Sequence, residues 1–145
     1  MNMTRSVPEI AAYSRGDLAS INCTEPDPYP NWAQHAEAEA HDLRTIKLDG
    51  VTIAAMGYVP TSRLEAQAFA VVDRQACKGV GKQVAALIRA QQIQWMEHTG
   101  IPQAHASCPA NDRAARVFLQ VIGYKPAGHT ATTANFIMTW SKEHE

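Results

Sequence analysis

The stretch VVDRQACKGVGKQVAALIRA, residues 71–90, runs from an apolar strand through two glycines into a helix. Gly79 and Gly81 remove side chains where the chain turns, and glycine lets the backbone approach a partner closely. A helix starting there leaves its first amides without intrahelical acceptors. Lys78 and Lys82 lie at the same place, where a positive side chain opposes the helix dipole by ~0.3–1 kcal/mol. Two readings account for them. In one, the lysines point into water and Gly79 packs closely on the strand. In the other, free amides and cations together seat a phosphate-like anion, with Arg74 as a third cation. The spacing fits neither G-x-x-x-x-G-K-[ST] nor G-x-G-x-x-G.

Working outward, LRTIKLDGVTIAAMGYVP (43–60) sets Asp49-Gly50 between two runs rich in Ile, Val, Leu and Thr. Asp-Gly suits a two-residue hairpin turn, so this segment reads as two antiparallel strands. EAQAFAVVD (65–73) reads as a third strand. From Gly79 to about His98, Val80, Val84, Leu87, Ile88 and Trp95 form a helical stripe interrupted by Gln91. Gly100 and Pro102 end that helix, and QAHASC (103–108) reads as a short strand. Asn111 is the expected N-cap of a second helix, with Asp112 in its first turn, an apolar face of Ala115, Phe118 and Ile122, and Gly123 closing it. NFIMTW (135–140) makes a last strand. Upstream, VPEIAAYSRGDLASINC (7–23) reads as a short helix weak at Arg15-Gly16. EPDPYPNW (25–32) reads as an extended loop and AQHAEAEAHDL (33–43) as a helix. The order predicts an α/β or α+β sheet with helices packed on it.

The bulk properties narrow the function classes. The chain has 145 residues, enough for one core, and is read as a single domain over 1–145. Its formal charge of −1 argues against a general nucleic-acid or membrane-surface binder, so any anion site must be local. Cys23, Cys77 and Cys108 show neither disulfide nor metal-ligand spacing, and no metal site is expected. His35 and His41, with Glu37 and Glu39 between them, fit no zinc pattern and read as a solvated face. The start MNMTRSVPEI has no apolar run of signal-peptide length, and the expected location is cytoplasmic.

The glycine turn followed, one strand later, by ANDRAARVFLQVIGYKPAG (110–128) resembles the GNAT superfamily of N-acetyltransferases, which use acetyl-CoA. The resemblance covers roughly residues 43–128. It implies a mixed, mostly antiparallel twisted sheet with helices on both faces. By that resemblance the backbone of Lys78, Gly79, Val80, Gly81 and Lys82 holds the CoA pyrophosphate. Val71 and Val72, in the strand AFAVV, hold the pantetheine arm, and Asn111 lies near the far end of the cofactor. The implied reaction is transfer of an acetyl group to a primary amine by direct attack, with acetyl-CoA as cosubstrate and a small-molecule or peptide amine as acceptor.

The chain departs from the family pattern at several positions. Ala76 stands where the family has Gln or Arg, and Cys77 where Gly is common. Phe118 and Leu119 occupy the positions of the tyrosine acid, and neither donates a proton. Asn111 to Gly123 is one residue longer than the family spacing, or ~100° about a helix axis. Ser107 or Tyr124 is the expected stand-in acid. Glu65, at the head of the third strand, is the expected base, its alternative reading being a solvated strand-end carboxylate. Cys77, at a helix start among cations, is a minor nucleophile candidate. Trp32 is read as lining an acceptor cleft or covering the core, and Trp95 as core. More faintly, FLQVIG (118–123) resembles the GNAT-like small internal virion protein of T7-like phages, which implies a scaffold without chemistry in a larger virion assembly. A homodimer is the expectation otherwise.

Overall fold

The computed structural model describes residues 7–21 and 32–140, the side chain of Trp32 excepted. The proline-rich loop, Cys23 and the orientation of Trp32 lie outside the described residues. Eleven elements follow in order: β1 (Glu9–Ala12), α1 (Asp17–Ser20), α2 (Trp32–Glu39), β2 (His41–Leu48), β3 (Val51–Pro60), β4 (Glu65–Val72), α3 (Gly81–Thr99), β5 (Gln103–Pro109), α4 (Arg113–Val121), β6 (Lys125–His129) and β7 (Thr133–Thr139). The strands form one seven-stranded sheet in the order β1-β2-β3-β4-β5-β7-β6. Every neighbouring pair is antiparallel except β4 and β5.

The hairpin at 43–60 forms as its turn residues demand. Asp49 has φ 53° and Gly50 φ 80°, the left-handed pair that matches strand twist. Alternation along β4 then sends Ala66 and Ala68 to one face, and Phe69 and Val71 to the other. On the first face lie α3 and α4, whose Val84, Ile88, Trp95, Met96 and Leu119, with Ile122 at the C-cap of α4, join Ile46, Ile53 and Ala104 in the main core. Fully burying one such isoleucine contributes about 1.5–3 kcal/mol. Trp95 stacks on Tyr58 with ring centroids 3.9 Å apart. On the second face Leu18, Ile21 and Ala36 of the α1 and α2 region cover Ala55, Phe69 and Val71. The helices thus take both faces of a mixed sheet.

Gln91, the polar break in the α3 stripe, is buried and donates from Nε2 to Asp42 Oδ2 at 2.5 Å. The break is a tether between α3 and the start of β2.

Three expectations need correction. Residues 9–12, expected to be helical, form a strand pairing with Arg44–Lys47 of β2, and only Asp17–Ser20 is helical. Residues 125–129 form the edge strand β6, which the sequence reading passed over. Asn111 is not the cap. Asp112 is the N-cap of α4, its Oδ1 accepting from the Ala115 amide at 3.0 Å. The apparent extra residue therefore falls in the turn before α4 and does not rotate the helix.

Candidate functional site

β4 and β5 begin as neighbours and then part. Their parallel rungs join Glu65 to Gln103, Ala66 to Ala104 and Gln67 to His105, and no later rung joins them. The other edges stay paired: β3 accompanies β4 to Val72, and β7 accompanies β5 to Pro109. From Ala68 to Val72 one edge of β4 is open along ~16 Å, at the usual rise per residue. Val71 and Val72 lie on this stretch, and Ser107 lies on the facing open edge of β5.

The open strand leads into a turn whose hydrogen bonds select which amides stay available. Asp73 Oδ1 accepts from the Ala76 amide at 3.0 Å, and the Asp73 carbonyl accepts from Cys77 at 3.0 Å. The Lys78 amide turns inward to the Gln75 carbonyl and the Val80 amide to that of Cys77. Two of the five backbone donors expected in the anion seat are thus committed to the turn itself. Among the described residues the amides of Gly79, Gly81, Lys82 and Gln83 find no backbone acceptor. Val80, the N-cap of α3, supplies no side-chain cap, and the first turn carries no acidic residue. Such a helix start leaves its orphan donors and its positive dipole end uncompensated by backbone acceptors, a side-chain cap or a first-turn acid. Gly79 holds φ 84°, and a Cβ on Gly81 would meet nothing within 4 Å. The lysines at 78 and 82 are exposed.

Between this helix start and α4 opens a groove of about 700 Å³. Ala85, Val117, Phe118 and Val121 give it apolar walls, and Lys82 and Arg113 stand at it as cations. Asp112, besides capping α4, binds Arg74 of the turn at 2.5 Å.

The acid–base candidates separate clearly. Glu65 and His105 come together on one sheet face, with Glu65 Oε2 3.6 Å from His105 Nε2. Ser107, two residues along β5 on that face, is exposed. Tyr124, expected as a stand-in acid, is 3% exposed, within the core. The Gln92 amide lies near its hydroxyl without reaching hydrogen-bonding geometry, and burial pushes its pKa up. It cannot serve a substrate from there. Cys77 is corrected as well. At 7% exposure, burial raises its thiol and the Asp73 charge adds to this, the opposite of an activated thiolate. His105 was missed by sequence reasoning. Alternation in QAHASC put it on a face with Ser107, but its partner depended on a parallel register that sequence spacing does not reveal.

No protein-family model matches the chain, and no curated protein matches it by sequence. Its backbone, however, superposes on many solved structures. Ard1 from Thermoplasma volcanium matches with a TM-score of 0.73 and 13% identity, over 94% of this chain and 99% of that one. The ribosomal-protein-S18-alanine N-acetyltransferase from Escherichia coli matches with a TM-score of 0.68 and 17% identity, over 92% and 94%. The chain has the GNAT fold. A Bacillus subtilis acetyltransferase in complex with CoA shares that fold, with a TM-score of 0.69 and 8% identity over 94% of this chain and 100% of its own. Among the described residues of this GNAT-fold chain, no helix is long and apolar enough to cross a membrane.

Proposed function

We propose that the protein is an acetyl-CoA-dependent N-acetyltransferase acting on a primary amine. The observation that carries this reading is the fork between β4 and β5 leading to an uncapped, glycine-bearing helix start. An open strand edge recognises an extended, amide-bearing arm, and the free amides at the helix start recognise a diphosphate. The pairing of those two recognition elements is what a pantetheine diphosphate requires. Solved GNAT-fold structures holding CoA and acetyl-CoA support the same choice of ligand.

In this reading the amides of Gly79, Gly81, Lys82 and Gln83 hold the diphosphate, with Lys78 and Lys82 adding charge. The backbone of Ala68–Val72 holds the pantetheine arm and directs it toward the fork. Lys82, Arg113 and the apolar walls of the α3–α4 groove take the nucleotide end. When bound, acetyl-CoA supplies the activated acetyl group. Backbone amides of β4 at the fork hold and polarise the thioester carbonyl of the acetyl donor, an oxyanion-type role. Glu65 takes the proton that the amine must lose. Neither Phe118 nor Leu119 protonates a leaving group, so Ser107 or water fills that role.

The test is a thermal-shift and calorimetric titration with acetyl-CoA, followed by a panel of primary amines. Saturable micromolar binding, with stabilisation that grows with ligand concentration, and acetylation of at least one amine are expected. No binding at millimolar CoA, together with association into a larger assembly, would overturn the enzyme and favour the scaffold that Ala76, Phe118 and Leu119 also fit.

A further inference from the structure

Glu65 and His105 meet where β4 and β5 stop pairing. His105 stands opposite Gln67 on the last rung before the fork, and Glu65 lies two residues back on the neighbouring strand. Alternation places both on the face that carries Phe69 and Val71, opposite the face packed by α3 and α4. The two side chains differ in access. Glu65 is 47% exposed and His105 36%, yet the Nε2 atom of His105 is closed off from solvent. That atom has no hydrogen-bond partner in the structure, and Glu65 Oε2 stands 3.6 Å away. A carboxylate and the lone pair of a neutral imidazole are both acceptors. An imidazole nitrogen donates or accepts according to which ring nitrogen carries the proton, so a proton placed between these two atoms can belong to either. The arrangement is a seat for a single proton, with one half reachable from outside and the other sheltered.

We propose that His105 is a positioning residue that acts through Glu65, holding the carboxylate and receiving the proton that Glu65 removes from the acceptor. This rests on the acetyltransferase reading above. The balance is simple. An N–H bond of the acceptor's ammonium breaks, and its electron pair stays on nitrogen. The proton passes to Glu65 Oε2 and then to His105 Nε2. The carboxylate recovers its charge, and the imidazole becomes a cation beside it. After the product leaves, the same proton returns from Nε2 through the more exposed Glu65 to water, which restores the starting state. Ser107 shares the face but carries no basic group, and Tyr124 is enclosed in the core.

The test uses the full-length protein, acetyl-CoA and the best amine from the panel. In His105→Ala and His105→Gln, kcat is expected to fall by about 10–100-fold, toward the lower range for lost acid–base assistance, while the KM for acetyl-CoA stays within about twofold. Millimolar imidazole restores part of the rate to the alanine variant and none to the glutamine variant. Independently, nitrogen NMR of the substrate-free protein should show the ring nitrogens of His105 shifting in Glu65→Gln. Three results would each overturn the assignment: a kcat within twofold of the parent, ring-nitrogen shifts unchanged in Glu65→Gln, or a rate loss that follows a lowered melting temperature and ignores imidazole. The NMR readout needs no turnover, so it distinguishes a failure of this pairing from a failure of the acetyltransferase reading.

Discussion

Arg74 Nη2 lies 2.5 Å from Asp112 Oδ2, and through this pair the turn that ends β4 is tied to the helix that follows β5. The two strands no longer pair at that level, and the ion pair bridges the lips of the fork. Asp112 does this while also capping α4. Asp112→Ala should therefore lower unfolding stability by about 1–2 kcal/mol, most of it from the cap. Asn is also a good cap, so Asp112→Asn should lose less than about 1 kcal/mol, as should Arg74→Ala with its half-exposed guanidinium. Urea denaturation of the three variants separates cap from charge. An Asp112→Asn loss as large as that of alanine would contradict this division.

The two glycines of the turn should respond in opposite ways. A Cβ at Gly81 meets no protein atom, and alanine is the better helix former, so Gly81→Ala should be neutral or stabilising by up to about 1 kcal/mol. Gly79 holds φ 84°, where a side chain costs about 1–2 kcal/mol, so Gly79→Ala should destabilise. Gly81→Asp places a negative side chain at the proposed anion seat without disturbing the fold. CoA affinity measured by calorimetry should drop at least ~10-fold, the order of one lost charged contact. Unchanged affinity would remove the seat from this place.

Acid should loosen the α1–α2 cover through one residue. Glu37 Oε1 accepts from the Tyr13 hydroxyl at 2.5 Å and from the Gly16 amide. The Tyr13 bond first, and the Gly16 amide second, hold the Glu37 carboxyl below its ordinary range. A carboxyl depressed in the folded state stabilises fully above its unfolded value, and that contribution disappears as pH falls through the folded value. Melting temperature should therefore decline below about pH 4.5 more steeply in the parent than in Glu37→Gln. Parallel curves for the two proteins would exclude this carboxylate as the cause.

Tyr124→Phe separates core from chemistry. The phenol hydroxyl is enclosed without a hydrogen bond, and removing an unsatisfied buried group is neutral or favourable. The variant should melt at or above the parent temperature and acetylate at the parent rate. A large fall in kcat would return this tyrosine to the reaction.

The sequence was most legible where one local device determines the backbone. Asp49-Gly50 announced its hairpin, the stripe from Val84 to Trp95 announced α3, and the glycine turn announced the helix start. It was least legible where a distant partner decides. EIAA is too short to declare a strand and becomes one because Arg44–Lys47 present a free edge. KPAGH, with proline and glycine, has little strand character of its own and is held by β7. Asn111 and Asp112 are both good caps, and the contact with Arg74 favours the second. Gln91 looked like a flaw in the stripe until Asp42 stood against it. His105 drew no assignment because its meaning lies in a register between strands thirty-odd residues apart, which no local pattern records.

Since β5 keeps β7 along its full length while holding β4 through three rungs, the sheet is two panels on a short hinge: β1 to β4 on one side, and β5, β7 and β6 on the other. Few strand hydrogen bonds join the panels, and the shared core under α3 and α4 holds them together instead. A guest in the opening therefore meets two separately paired strand systems at once, one from each panel.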